Sequence, residues 1–301
     1  MKPEQITAAN RATLEAIEKH HNSEDRGPLP ETPYFGYINV TLFECPPFVM
    51  FTNNDSPVVQ QILYRRSFEP MSMKLWCRLC QSATGILDIG ANVGVYSLAA
   101  AASRRDLAVH AFEPNPYAYA RLRIHKEINA LSNIVEHAVA VGHANASVAF
   151  SWRVKPGGAI ASGGGLVASK GSHAVEKITV QMITLDGTGL ATTLGERPLV
   201  KIDVEGSELA TIKGMSEVLA LRPDILIETL HPTVAEQLNK VVMPLGYNAY
   251  HVQEHEMRLV TGDRIVAQGD AAGKLVSQDF NNFLTVRTVD EVNRLADGQV
   301  S

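Results

Sequence analysis

Asp88, Gly90, Asn92, Gly94 and Glu113 are the residues whose types and spacing point most directly to chemistry. Gly85-Ile86-Leu87-Asp88-Ile89 reads as a short buried strand, Gly90 to Gly94 as a glycine turn, and Val95-Tyr96-Ser97 as the start of a helix. A second apolar run, Leu107 to Phe112, ends in Glu113. Strand, glycine-rich turn, helix and a second strand ending in an acid form half of a nucleoside-binding fold. The acid can accept both hydroxyls of a ribose, and the glycines let the backbone approach the ligand closely. A dinucleotide fingerprint needs glycine at the first, third and sixth positions. Counted from Gly90 those positions hold Gly90, Asn92 and Val95, so that pattern fails and Asp-x-Gly-x-x-x-Gly remains. The plain alternative is a strand-to-helix turn that needs glycine only for sterics. For Glu113-Pro114-Asn115-Pro116 it is a helix start, with Asn115 capping the helix that Pro116 opens.

Two further clusters fall at strand ends. Lys201-Ile202-Asp203-Val204-Glu205-Gly206-Ser207-Glu208 crowds three acids and a lysine together. They could position a hydroxyl, accept its proton or hold a divalent cation. Their alternative is capping by Asp203 and dipole pairing by Glu205 and Glu208, and Glu208 is assigned mostly to it. In Ile225 to Pro232, Glu228 and His231 follow the next strand. The expected reactive set is Asp203, Glu205, Glu228 and His231, with His231 as a general base oriented by Glu228. A metal-free site is preferred; if a cation were held, Asp203 and Glu228 would supply oxygens. Cys77-x-x-Cys80 lacks a second pair for zinc and reads as core. The glycines at 163–165 make no phosphate loop, because no Gly-Lys-Ser/Thr follows. Trp152 and Tyr34 could stack on a sugar, but single aromatics usually pack.

The elements that must position these groups alternate. A helix over 3–21 and a linker to 33 precede two short strands within 35–52, broken at Pro46-Pro47, and helices over 57–64 and 70–81. Strands at 86–89, 107–112 and 134–139 alternate with helices at 93–103 and 116–130, which predicts a parallel sheet. Strands at 146–154 and 175–184 flank a glycine-rich insertion at about 155–171, read as a mobile flap over the acceptor. A strand at 199–203, one helix over 207–219, a strand at 224–228, a helix at 233–242 and strands near 247–252 and 281–287 complete the sheet. The organisation expected is an N-terminal α+β extension over 1–80, one nucleoside-binding domain over 81–290 and a tail over 291–301.

Composition narrows the classes. The chain has 301 residues, a formal net charge of −5 and no Lys/Arg cluster with interleaved aromatics, which disfavours a nucleic-acid partner. No run is long and apolar enough for a membrane span or a secretion signal. Three cysteines argue against a disulfide scaffold and fit a reducing cytoplasm. A homo-oligomer is left open.

The segments 88–97, Phe112 to Pro116 and Lys201 to Glu208, in this order, resemble the FkbM family of methyltransferases. Phe68-Glu69-Pro70, Ile227-Glu228 and Asn282-Phe283-Leu284 match as well, so the likeness runs over about 60–287. The resemblance implies a class I methyltransferase fold: a Rossmann-like, doubly wound, mostly parallel sheet, here with an N-terminal extension and a β insertion. It also implies methyl transfer from S-adenosylmethionine to oxygen. The cofactor set it implies is Glu69, Asp88, Gly90, Asn92, Gly94, Ser97, Glu113, Asn115, Ala138 and Asp203. The acceptor it implies is a hydroxyl of a saccharide or glycosylated small metabolite, with a polyketide-type hydroxyl second. An NAD-dependent oxidoreductase and a catalytically silent nucleoside-binding protein are the rival readings.

Overall fold

The computed structural model describes residues 2–22, 33–153, 164–165, 175–269 and 281–297. Helix α1 (Pro3–Asn22) precedes the hairpin β1 (Gly36–Val40) and β2 (Phe48–Thr52), then α2 (Pro57–Arg65) and α3 (Pro70–Ser82). Alternation follows with β3 (Gly85–Ile89), α4 (Val95–Ser103), β4 (Val109–Phe112), α5 (Pro116–Ile128) and β5 (Ile134–His137). Next come β6 (Ala140–Val141), β7 (Ala146–Arg153), β8 (Gly164–Gly165) and β9 (Val175–Ile183). The α/β rhythm returns with β10 (Pro198–Ile202), α6 (Glu208–Lys213), α7 (Ser216–Ala220), β11 (Asp224–Glu228) and α8 (Pro232–Val242). It ends with β12 (Asn248–Gln253), β13 (Arg258–Gly262), β14 (Asn281–Thr285) and α9 (Val289–Asp297).

The main sheet has eight strands in the order β13-β12-β14-β11-β10-β3-β4-β5. The run β11-β10-β3-β4-β5 is parallel, and β14 pairs antiparallel with both β11 and β12. After β3 the chain winds outward through β4 and β5, then returns to the other side of β3 with β10. The β3/β10 boundary is therefore the switch point, where the crevice of a doubly wound sheet opens. Every residue of β3 and β10 is buried, as central parallel strands require.

Strand periodicity sets which side chains meet. Leu87, Ile89, Val200 and Ile202 face one core, with Ile212 and Leu238. Ile86 and Leu199 face the other, with α3, α4 and the β1–β2 hairpin. Asp88 and Lys201 fall on that second face, and pairing puts them side by side. Ile38, Val40 and Met50 join the same core, so the N-terminal layer packs on the sheet.

Several expectations need correction. The single helix over 207–219 is two, α6 and α7, broken around Gly214, where a Cβ would stand 1.9 Å from the Gly142 carbonyl oxygen. The C-terminal tail is a helix as far as Asp297, held by Arg78, which donates to the Leu295 and Ala296 carbonyls. Strand β13 extends the sheet edge where no strand was read. Cys45 and Cys77 are joined as a disulfide, so the cysteines are not all reduced thiols. Only Cys80 is free, and it is buried. The flap reading of 155–171 falls outside the described residues, apart from Gly164 and Gly165, which pair with β7. A smaller sheet, β6-β9-β7-β8, stands beside the main one.

Candidate active site

The loop after β3 is tied to the end of β4. Gly90 and Ala91 N–H both donate to the Phe112 carbonyl, at 2.9 and 3.0 Å. The Glu113 carboxylate then holds both sides of the crevice. Asn92 N–H donates to its Oε2 at 2.8 Å and Asn115 N–H to its Oε1 at 2.7 Å. Each oxygen keeps a further lone pair. The cavity beside it holds about 610 Å³ of space, counting space open to solvent. Gly90, Asn92, Glu113 and Asn115 line it, with apolar walls from Phe112, Val139, Val141 and Phe150. Asp203, Glu205 and Ser207 also line it, from the loop after β10.

The glycines also answer to packing. Gly90 has φ of +84°, and a Cβ there would stand 1.7 Å from the Asp203 carbonyl oxygen. Gly94 has φ of +92°, and a Cβ would stand 2.3 Å from Leu122 Cδ1. Both are required by packing against protein. Asn92 adopts φ of +50° between them. Asp88 is buried behind the cavity and accepts a hydrogen bond from Ser97 Oγ at 2.5 Å, which ties β3 to α4. Asn115 caps α5, as expected, accepting from Tyr117 and Ala118 N–H. Ala138 is exposed, and its neighbour Val139 is the wall residue.

Glu69 does not line the cavity, but it feels the charges of Lys201 and Asp203. It accepts from Tyr96 Oη at 2.5 Å and from Asn281 Nδ2 at 3.1 Å. Its backbone has φ of 38° and it precedes α3 without capping it. The cap comes from Glu254, which accepts from Met71 and Ser72 N–H at 2.7 and 3.2 Å.

Lys201, Asp203 and Glu228 converge where β10 and β11 end. Lys201 Nζ is 3.7 Å from Asp203 Oδ2 and 5.1 Å from the centroid of the Tyr96 ring. It is buried, and it has no hydrogen-bond partner. Glu228 stands beside Asp203, because the pairing of Ile202 with Ile227 sets the two acids at neighbouring strand ends. Burial, then the charges of Asp203 and Glu205, hold the Glu228 carboxyl well above the usual range. His231 occupies the N-cap position of α8, where its backbone carbonyl accepts from Val234 and Ala235. Glu228 and Asp203 form a carboxyl pair at the adjacent ends of β11 and β10. Among the described residues, no group of three or more His, Cys, Asp or Glu is disposed to hold a metal ion.

Residues 88–259, over half of the chain, match the Methyltransferase FkbM domain. The chain belongs to the FkbM methyltransferase family. "Methyltransferase 1" of Beauveria bassiana is 25% identical over 145 residues, 44% of this chain and 58% of that protein. The hexuronic acid methyltransferase AglP of Haloferax volcanii is 28% identical over 144 residues, 47% of this chain and 54% of that protein. The match thus spans little more than half the length of each. The solved methyltransferase FkbM of Methylobacillus flagellatus is 17% identical, with TM-score 0.40, covering 67% of this chain and 43% of that one.

Electrostatics give this FkbM domain a pH signature. Burial pushes Asp88 up to about 6, against the Ser97 hydrogen bond. Burial likewise pushes Glu113, Glu208 and Glu254 up to about 7. Lys201 is pushed down by burial, but Asp203, Glu69, Glu228 and Asp88 outweigh this and raise it, so it stays cationic. A carboxyl raised in the folded state binds more protons there than when unfolded. Its stabilising contribution is full below the unfolded value and is lost as pH rises through the folded one. The ligand-free protein should therefore melt at progressively lower temperature from about pH 5 to about pH 7.5. A melting temperature that climbs over this interval would show that these carboxyls are not the dominant titrating groups.

Phe150 is a site residue that the sequence reading left without a role. The position of Phe150 in an inserted strand carries no local signal.

Proposed function

We propose that this chain transfers a methyl group from S-adenosylmethionine to a hydroxyl of a saccharide or glycosylated small metabolite. The observation that carries the reading is Glu113, fixed by two backbone N–H groups beside an apolar slot at the switch point of the sheet. A vicinal diol can donate to its remaining lone pairs, and a planar base suits the apolar walls. The sugar part of the reading is supported by the relative named as a hexuronic acid methyltransferase.

S-adenosylmethionine supplies a methyl group already activated on a sulfonium. The protein's work is alignment, exclusion of water and removal of one proton. Glu113 fixes the nucleoside. Asp203 is the member of the carboxyl pair that lines the cavity, so it accepts the proton of the acceptor hydroxyl as the new carbon–oxygen bond forms. Glu228, whose raised carboxyl favours the neutral form, stands beside Asp203 and orients that carboxylate, which stays unprotonated until the acceptor hydroxyl gives up its proton. Lys201 keeps a positive charge beside the pair and limits carboxylate repulsion.

The test is calorimetric binding of S-adenosylhomocysteine, followed by transfer of labelled methyl to a panel of glycosides. Micromolar binding and label on a sugar oxygen are expected. Binding of NAD in place of S-adenosylhomocysteine would overturn the reading in favour of an oxidoreductase.

A further inference from the structure

The inserted sheet reaches into the nucleoside slot, although the core α/β fold does not require it. Phe150 comes from the middle of β7 and is 3% exposed. It lines the cavity together with Glu113 and Val139, which lie at the ends of β4 and β5. β6, whose two residues also line the cavity, pairs with β9, and β9 pairs with β7. The wall that follows β5 is thus hydrogen-bonded to the strand next to the one carrying Phe150. Gly165 of β8 lines the same cavity further along, where a Cβ would stand 2.9 Å from the Glu205 carbonyl oxygen. The insertion therefore borders the slot near Glu113 and again near Glu205.

We propose that Phe150 is the stacking wall for the purine base of the bound nucleoside, supplied by the inserted sheet. This rests on the S-adenosylmethionine reading above. An aromatic face offers a base dispersion and π contact that an aliphatic wall cannot reproduce. A second ring follows Phe150 on the same face of β7. Trp152 lies 6.0 Å from Phe150 and 5.9 Å from Tyr117, which is exposed at the start of α5. Trp152 is one of only two tryptophans in the chain. The other, Trp76, is buried against Tyr96. Filling the slot should change the emission of Trp152 through the Phe150 contact.

The experiment is titration of S-adenosylhomocysteine into wild type, Phe150→Ala, Phe150→Tyr and Val180→Ala, by calorimetry and by Trp152 emission in a Trp76→Phe background. Val180 shares the small core with Phe150 but does not line the cavity, so its variant reports damage to the sheet alone. Phe150→Ala should bind about 5- to 100-fold more weakly. Phe150→Tyr and Val180→Ala should stay within about threefold of wild type, as uncoupled sites do. Wild-type affinity in Phe150→Ala, with the wild type binding well, would overturn the stacking role and leave the cofactor reading intact. An equal loss in Val180→Ala would overturn it too, by assigning the effect to the sheet. A wild type that does not bind S-adenosylhomocysteine would overturn both.

Discussion

Replacing Asp203 by asparagine should lower turnover by about 10²- to 10⁴-fold, the range a positioned proton acceptor supplies. Affinity for S-adenosylhomocysteine should change by less than about tenfold. Asp203 lines the cavity and stands beside Glu228, with Lys201 Nζ 3.7 Å away. Its side chain is 30% exposed, whereas that of Lys201 is 2% exposed, so an acceptor can reach Asp203 but not the ammonium beside it. Asparagine keeps the size but cannot take a proton. Glu228→Gln should cost far less, because an amide N–H can still donate to Asp203. His231→Ala should be close to neutral, since the ring is not part of the carboxyl pair. The assignment fails if Asp203→Asn turns over normally, or if His231→Ala loses as much as Asp203→Asn.

The strand and helix order was legible because it rests on local signals. Apolar runs bounded by Gly and Pro set β3, β10 and β11. Ser56-Pro57 and Asn115-Pro116 announce their helices through side-chain caps and a proline in the first turn. The failures share a different origin. Gly214 interrupts a helical pattern because the Gly142 carbonyl, far away in sequence, presses on it. The cap of α3 comes from Glu254, over 180 residues downstream, so the nearby Glu69 is freed for Tyr96 and Asn281. The Cys45–Cys77 bond joins residues 32 apart in an odd-cysteine chain, where counting gives no pair.

The same contrast holds at the site. Asp88, Gly90, Glu113 and Asp203 were visible because a doubly wound sheet places strand ends around its crevice. Which acids touch one another was not visible. That Glu228 stands beside Asp203 follows only from the parallel pairing of β10 with β11, which joins segments distant in sequence. Lys201 could be placed beside Asp88 only once the register of β3 with β10 was fixed.

Glu113→Ala should weaken S-adenosylhomocysteine binding by about 10- to 150-fold, the equivalent of losing a charged hydrogen bond of about 1.5–3 kcal/mol. Alanine also strands two backbone donors, Asn92 N–H and Asn115 N–H, so part of the loss would come from a loosened loop. Glu113→Gln separates the two effects only partly: its single carbonyl can satisfy one donor while its amide N–H₂ faces the other. A double-mutant cycle isolates the ribose contact. Removing the ligand's 2′-hydroxyl should cost the wild type affinity and cost Glu113→Ala almost nothing. The pH dependence gives an independent check. Burial holds Glu113 near 7, and only its carboxylate can accept two hydroxyl donors. Ligand binding must therefore displace a proton at low pH, and affinity should fall as pH drops below about 7. That dependence should vanish in Glu113→Ala. If the 2′-deoxy ligand loses as much affinity in the variant as in the wild type, Glu113 does not hold the ribose, and its role is confined to joining the two loops.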